Sequence, residues 1–347
     1  MISIGYIFAL ISAGAWAIAV ITFKKLENAI SPPALNLFKN TLGFILIGLT
    51  LVALGVPISK VPTLEGISII NGRDIVLLIL SGAIGIGLAD IVFIKALNMI
   101  GAGYTAIVGS MFSVFIFIFS FSFAILFPNS FPEQRWPPTT LEVIGSIFVI
   151  SAIVYSSYTD VDIKENKNFR AGILTGVSAV MMMAFASVIM NSIVAKSNGD
   201  VAISLWVVWV RLLPGIIVPL AIVWLGGYFG QLRDALSKTH TLKTMLFGAF
   251  MATYLAISFW TFGMTFESNN FTLFSILAQT SNVFIFIMSW AVLSEKLSLR
   301  RTLGITFSFI GIVMIMVGKE PQRNSTTNDI KIENTIVNYA SIKQEII

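Results

Sequence analysis

Val114-Phe115-Ile116-Phe117-Ile118 recurs as Val283-Phe284-Ile285-Phe286-Ile287, and a serine stands two positions beyond each copy, Ser120 and Ser289. A second echo follows each one. Gly145, Phe148 and Ile153-Val154 reappear as Gly304, Phe307 and Ile312-Val313. One apolar pentapeptide can recur by chance in an apolar chain, but two echoes in the same order point to a duplicated unit. The second pair is spaced more closely because only the first half carries the Pro-rich stretch 128–138. A duplicated membrane unit is the layout of a secondary transporter.

Composition sets the solvent. Apolar residues make up 56% of the 347 and charged residues 11%, with a mean hydropathy of +0.89. A soluble domain carries about 25% charged residues, so this chain lacks the surface to face water on all sides. A bilayer span needs roughly 20 mostly apolar residues. About ten such stretches can be marked, at residues 4–23, 34–56, 74–98, 103–127, 140–158, 171–195, 202–226, 245–265, 271–293 and 302–318. Hydrocarbon offers backbone groups no partner, so each must be a helix, and the β-branched and aromatic run Val114–Ile118 is a lipid preference rather than a strand. The expected fold is an all-α, multi-pass integral membrane protein of about ten transmembrane helices.

The most polar internal segment, residues 159–170, separates two sets of five spans. Five is odd, so the second copy enters the membrane upside down, and the expectation is two inverted five-helix repeats. The boundaries are 1–158 for the first repeat, 159–170 for a polar linker, 171–318 for the second repeat and 319–347 for a polar C-terminal tail. The first apolar stretch has no basic residue ahead of it and is longer than the apolar core of a signal peptide, so it reads as a retained helix. The chain has no cysteine, which removes disulfides and thiolate ligands. Its net charge of +5 lies in loops and tail without a basic tract, so no nucleic-acid partner is expected.

Function is sought among groups that are expensive in lipid. Intramembrane charges face a bundle interior or a cavity by default. Four qualify: Lys39, Asp90, Lys95 and Arg211. Lys39 and Lys95 are near enough to helix ends for their ammonium groups to snorkel to the headgroups, or else to turn inward. Arg211 is near mid-span, three residues before Pro214, and reads as cavity-lining or as one half of a structural ion pair. Asp90 follows Gly82, Gly85 and Gly87, which permit close helix approach or a hinge. It reads as a group for substrate or proton, or as a buried partner of Lys39 or Arg211. Trp16, Tyr104 and Trp260 offer aromatic walls at depth. Gln279 and Asn282 are three apart and share a helix face. Substrate-binding candidates are therefore Arg211, Asp90, Lys39, Trp16, Tyr104, Gln279, Asn282 and Trp260.

Enzyme chemistry finds no footing. The one histidine, His240, stands in a polar stretch. An aspartyl protease needs two carboxylates meeting at depth, and only Asp90 is well inside. No phosphate-cradling loop is present for ATP-driven pumping. No catalytic residue, metal site or cofactor is expected.

The stretch from Asp90 through Ile91-Val92-Phe93-Ile94-Lys95 to Tyr104-Thr105-Ala106, running on into Val114–Ser120, resembles the third and fourth helices of EamA-type proteins of the drug/metabolite transporter superfamily. Ser294-Glu295-Lys296-Leu297 with Arg300-Arg301-Thr302-Leu303-Gly304 is similar to that family's glutamate-bearing turn between the ninth and tenth helices. Ala15-Trp16 with Lys24, and Ser31-Pro32 leading to Lys39, fit as well. The first half departs from the pattern, with Pro132-Glu133-Gln134-Arg135-Trp136-Pro137 in place of the glutamate turn. The first helix carries no carboxylate, which argues against proton-for-cationic-drug antiport. The resemblance implies a secondary transporter, an exporter or exchanger, working by alternating access in a prokaryotic plasma (inner) membrane, as a monomer or homodimer. Because Lys39 and Arg211 outnumber Asp90, the expected cargo is a small polar metabolite, amino acid-like or anionic. The resemblance assigns Glu295 to ordering the last turn rather than to substrate. A non-transport scaffold, sensor or lipid-translocating protein is the alternative. Loop cations favour termini outside the cell, whereas the resemblance places them inside.

Overall fold

The computed structural model describes residues 4–56, 63–64, 67–68, 70–127, 139–157, 167–267, 271–295 and 298–317. The Pro-rich stretch 128–138, most of the linker 159–170 and the tail 319–347 lie outside the described residues. The regular structure among the described residues is helical, with one addition to the sequence expectation. A two-stranded antiparallel hairpin, β1 (Thr63–Leu64) and β2 (Ile67–Ser68), pairs Thr63 with Ser68 and Leu64 with Ile67.

In chain order the helices are α1 (Ile4–Lys25), α2 (Pro32–Ala53), α3 (Gly72–Gly82), α4 (Ala89–Gly109), α5 (Met111–Leu126), α6 (Thr140–Ser157), α7 (Lys167–Val194), α8 (Val201–Leu225), α9 (Phe229–Ser237), α10 (Thr239–Ala249), α11 (Ile257–Phe266), α12 (Phe271–Ala278), α13 (Thr280–Leu293) and α14 (Leu299–Val317). Two π-helical segments, Ala83–Leu88 and Phe250–Ala256, join α3 to α4 and α10 to α11. Among the described residues, six helical stretches are long and apolar enough to cross a membrane, and four apolar helices of 10–17 residues accompany them. Leu49, Val76, Leu174, Ile217, Trp224 and Ile287 are all more than half exposed around the outside of the bundle. In water so many large apolar side chains would be untenable; in lipid they are the contact surface.

The inner helices cross closely because small residues face one another. A Cβ on Gly82 would stand 2.2 Å from the Arg211 carbonyl oxygen and one on Gly85 2.5 Å from the Ala186 Cβ, so the glycine segment expected to permit close approach does so against α8 and α7. The same segment is π-helical, a wider and weaker winding that concentrates at functional sites. α6 and α14 pack chiefly on each other, with the Gly145 carbonyl against Gly311.

Apolar spans can still be broken. Gly101 sits at φ 79°, ψ 169°, a conformation open in practice only to glycine, and divides α4 in two. The half that begins there is capped from the other end of the chain, because Glu295 accepts from the Ala102 N–H at 2.8 Å and the Gly103 N–H at 3.0 Å. A carboxylate on two terminal N–H groups is a charge-assisted cap at the positive end of the helix dipole. Beyond the turn that the resemblance has Glu295 order, its carboxylate clamps a different helix, because αL geometry at Ser294 turns the chain away from α13.

This clamp predicts a destabilisation of about 1–3 kcal/mol for Gly101→Ala from backbone strain, and a comparable loss for Glu295→Gln from the weakened charged bonds. The two share one contact, so the double variant should fall short of the sum. Melting temperatures of the detergent-solubilised protein, singles beside double, check it; full additivity would refute a common contact.

Candidate functional site

The bundle holds a partly open cavity of about 190 Å³ lined by both halves of the chain. Its polar wall comprises Ser12, Asp90, Ser187, Arg211, Gln279, Ser281 and Asn282; the rings of Trp16, Phe93, Phe112 and Trp260 and aliphatic side chains such as Ile86, Val180 and Met183 supply the rest. Six of the sequence candidates thus meet in one place: Arg211, Asp90, Trp16, Trp260, Gln279 and Asn282. Lys39 stands one layer behind, bonded to Asp90. Tyr104 is outside the cavity, edge-on to Phe169 with ring centroids 4.8 Å apart, because its part of α4 faces α7.

Lys39 corrects the snorkelling alternative. It is 1% exposed, its Nζ lying 2.5 Å from Asp90 Oδ2 and donating at 2.9 Å to Asn40 Oδ1. The ammonium turns inward because Asp90 offers a charge that the headgroups would otherwise have to supply. Lys95, by contrast, is exposed on the outside of α4. Of the two buried partners open to Asp90 from the sequence, Lys39 is the one within ion-pair distance.

Arg211 is differently placed. It is buried, with 6% of its surface exposed; Nη1 donates to the Met190 thioether, and Nε has no hydrogen-bond partner. No carboxylate stands within ion-pair distance of it among the described residues. Thioether sulfur is a weak acceptor. The guanidinium has room because Gly85 has no side chain: a Cβ there would be 3.5 Å from Nη2.

Sequence reading missed the scaffold behind these charges. Pro219 lacks an N–H, which leaves the Gly215 carbonyl of α8 without its helical partner; Asn40 Nδ2 donates to it at 2.8 Å. Asn36 Nδ2 donates to the carbonyls of Ile86 and Gly87 in the first π segment, at 2.9 and 3.0 Å. Ser12 Oγ does the same for Ala256, the last residue of the second π segment, at 2.8 Å. The signal was present: Asn36 and Asn40, one turn apart, flank Lys39 on an otherwise apolar helix.

Both pentapeptide copies follow a fault in their helix. The helical ladder is interrupted at Ser110, between α4 and α5, and at Gln279, between α12 and α13, each four residues ahead of its copy. The two faults touch, since a Cβ on Gly109 would meet Asn282 Oδ1 at 2.6 Å. Gly109, Phe112, Ala278, Gln279, Ser281 and Asn282 all line the cavity, so the starts of α5 and α13 open onto it.

The family model for the EamA-like transporter family matches residues 3–158 and again 170–317. The chain belongs to the EamA-like transporter family. As a member it is an integral, multi-pass membrane protein of a transporter family, and the two matched stretches each hold one copy of the pentapeptide. A solved structure titled "Crystal structure of protein" is similar over 92% of this chain and 98% of that one, with a TM-score of 0.61 at 12% identity, which supports the fold alone. No curated protein matches the chain.

The EamA-like chain makes a clear prediction about its buried pair. Removing one partner strands the other charge, which costs about 3–5 kcal/mol, whereas removing both leaves no orphan. Asp90→Asn and Lys39→Met should each lower the melting temperature in detergent sharply, and the double variant should recover most of the loss. Equal melting of all three would mean that the pair is not buried in the folded protein.

Proposed function

We propose that this protein is a secondary transporter, moving a small polar metabolite, amino acid-like or anionic, by alternating access around the central cavity. The observation that carries the reading is Arg211, a cation in the wall of that cavity with no carboxylate partner among the described residues. A lone arginine at bilayer depth costs on the order of 3 kcal/mol even on insertion scales. A purely structural site would be expected to neutralise it, as Lys39 neutralises Asp90. Arg211 instead faces free volume.

The proposed architecture is ten spans in two inverted five-helix repeats, residues 1–158 and 171–318, with α6 and α14 as the peripheral fifth and tenth. Its support is a pattern of contacts at the helix ends. Lys24 reaches the Asn98 carbonyl, and Glu295 reaches Ala102 and Gly103, so the turns after the first, third and ninth spans gather at one end. Lys196 pairs with Asp74 at 2.7 Å, and Gly5 packs on Glu267, which gathers the start of the first and third spans with the ends of the sixth and eighth at the other. Alternate threading of ten spans puts these same groups on common sides. Glycine-lined crossings and π segments in the third and eighth spans give the halves low-barrier places to bend.

Two experiments follow. Single cysteines replacing Asn28, Ser237 and Leu54, all exposed at helix ends or turns, should label from opposite faces of the membrane on this cysteine-free chain. Asn28 and Ser237 should label together and Leu54 alone. Labelling of all three from one face would overturn the threading. Purified protein in proteoliposomes should also move a labelled metabolite pool, and Arg211→Gln should reduce that flux at least about tenfold, the scale of one charged hydrogen bond, without loss of folded protein. Flux that is indifferent to the substitution would remove Arg211 from the substrate path.

A further inference from the structure

The cavity wall is chemically lopsided. Asp90 is the one carboxylate that lines it among the described residues, and Lys39 already holds that carboxylate at 2.5 Å. Arg211 holds nothing but a thioether, and its Nε–H is without an acceptor. A ligand ammonium entering here meets no free counter-charge; a ligand anion meets a guanidinium fork that is buried, charged and open. Lys39, Asp90 and Arg211 together sum to one positive charge, so a single negative charge neutralises the set.

Gln279 Oε1 accepts from Asn282 Nδ2 at 2.6 Å, so the pair offers the Gln279 NH₂ as a donor and Asn282 Oδ1 as an acceptor. The starts of α5 and α13 border the cavity through Phe112 and Ser281.

The remainder of the wall is apolar, with four aromatic rings set among aliphatic side chains such as Ile86, Val180, Met183 and Ile257. Phe112 and Trp260 meet edge to face with centroids 5.9 Å apart, and Trp16 lies 5.6 Å from Phe93. A dry apolar cavity of about 150 Å³ accommodates benzene, so a cavity of about 190 Å³ has room for one such ring with a compact charged group attached.

We propose that the cavity selects a small monoanion built on one aromatic ring, a carboxylate or its equivalent that bears no ammonium group. The anion sits on Arg211 and Gln279, and the ring between Phe112, Trp16 and Trp260. This narrows the transport reading and rests on it for the path across the membrane, though not for binding.

Four probes of one shape separate the possibilities: phenylacetate (anion), phenylacetamide (neutral), phenylalanine (zwitterion) and phenethylamine (cation), each titrated calorimetrically into the full-length purified protein. Phenylacetate should bind saturably and at least about tenfold more tightly than the other three, the scale of one charge-assisted hydrogen bond. Arg211→Gln should erase that preference, and Arg211→Lys, which keeps the charge but not the fork, should retain part of it. Equal or tighter binding of phenylalanine or phenethylamine to the unaltered protein would overturn the proposal whether or not the variants fold. So would phenylacetate binding that Arg211→Gln leaves intact. Flux in proteoliposomes separates the two levels. Phenylacetate that binds but does not cross sustains the anion site and overturns the transport reading; phenylalanine that crosses while phenylacetate fails to bind does the reverse.

Discussion

Hydrocarbon gives an unpaired backbone carbonyl nowhere to turn, and this protein opens its helices inside the membrane nonetheless. Side chains from other helices meet the openings that border the cavity. Asn40 takes the Gly215 carbonyl that Pro219 releases, Asn36 takes two carbonyls of the first π segment, and Ser12 takes the end of the second. An orphaned polar group at this depth costs several kcal/mol, so these donors are a condition for the π segments and the proline to exist there at all. What they permit is close crossing of helices, with Gly82 and Gly85 nearly touching α8 and α7. The cavity is what remains where those crossings diverge.

The charges follow from the same scarcity of partners. Lys39, Asn40 and Asp90 satisfy one another, and the Asn40 oxygen that receives Lys39 belongs to the side chain whose nitrogen braces α8. Charge pairing and backbone repair thus share one residue. Arg211 sits beside this network without joining it. Its surroundings contain a thioether, a glycine that makes space, open volume and, beyond ion-pair distance in the same wall, Asp90, an environment that fits the anion site proposed above.

Ties between the two halves lie at both ends of the cavity. At one end Glu295 crosses to the broken α4; at the other Lys196 crosses to Asp74. Each is an ion or charge-assisted contact near the helix ends, where water can replace a lost partner at modest cost, unlike the Lys39–Asp90 pair at depth. Separable contacts at both rims are what the alternating access proposed above would require.

The sequence by itself determined the solvent, the helical class and the duplication. Those rest on composition, on span length and on the recurrence of Val114–Ile118 as Val283–Ile287, none of which needs a neighbour to be read. It also singled out Asp90, Arg211, Trp16, Trp260, Gln279 and Asn282, because polar and large aromatic residues are conspicuous in an apolar span. It left open which buried partner Asp90 takes and whether Lys39 turns inward, because pairing depends on which helices cross and at what depth. It could not show Asn36 and Asn40 as backbone donors, Glu295 as a distant cap, or Tyr104 facing away from the cavity. Each of these is decided by a contact between residues far apart in the chain. One-dimensional periodicity fixes which face of a helix a residue occupies; only the packed bundle decides what that face meets.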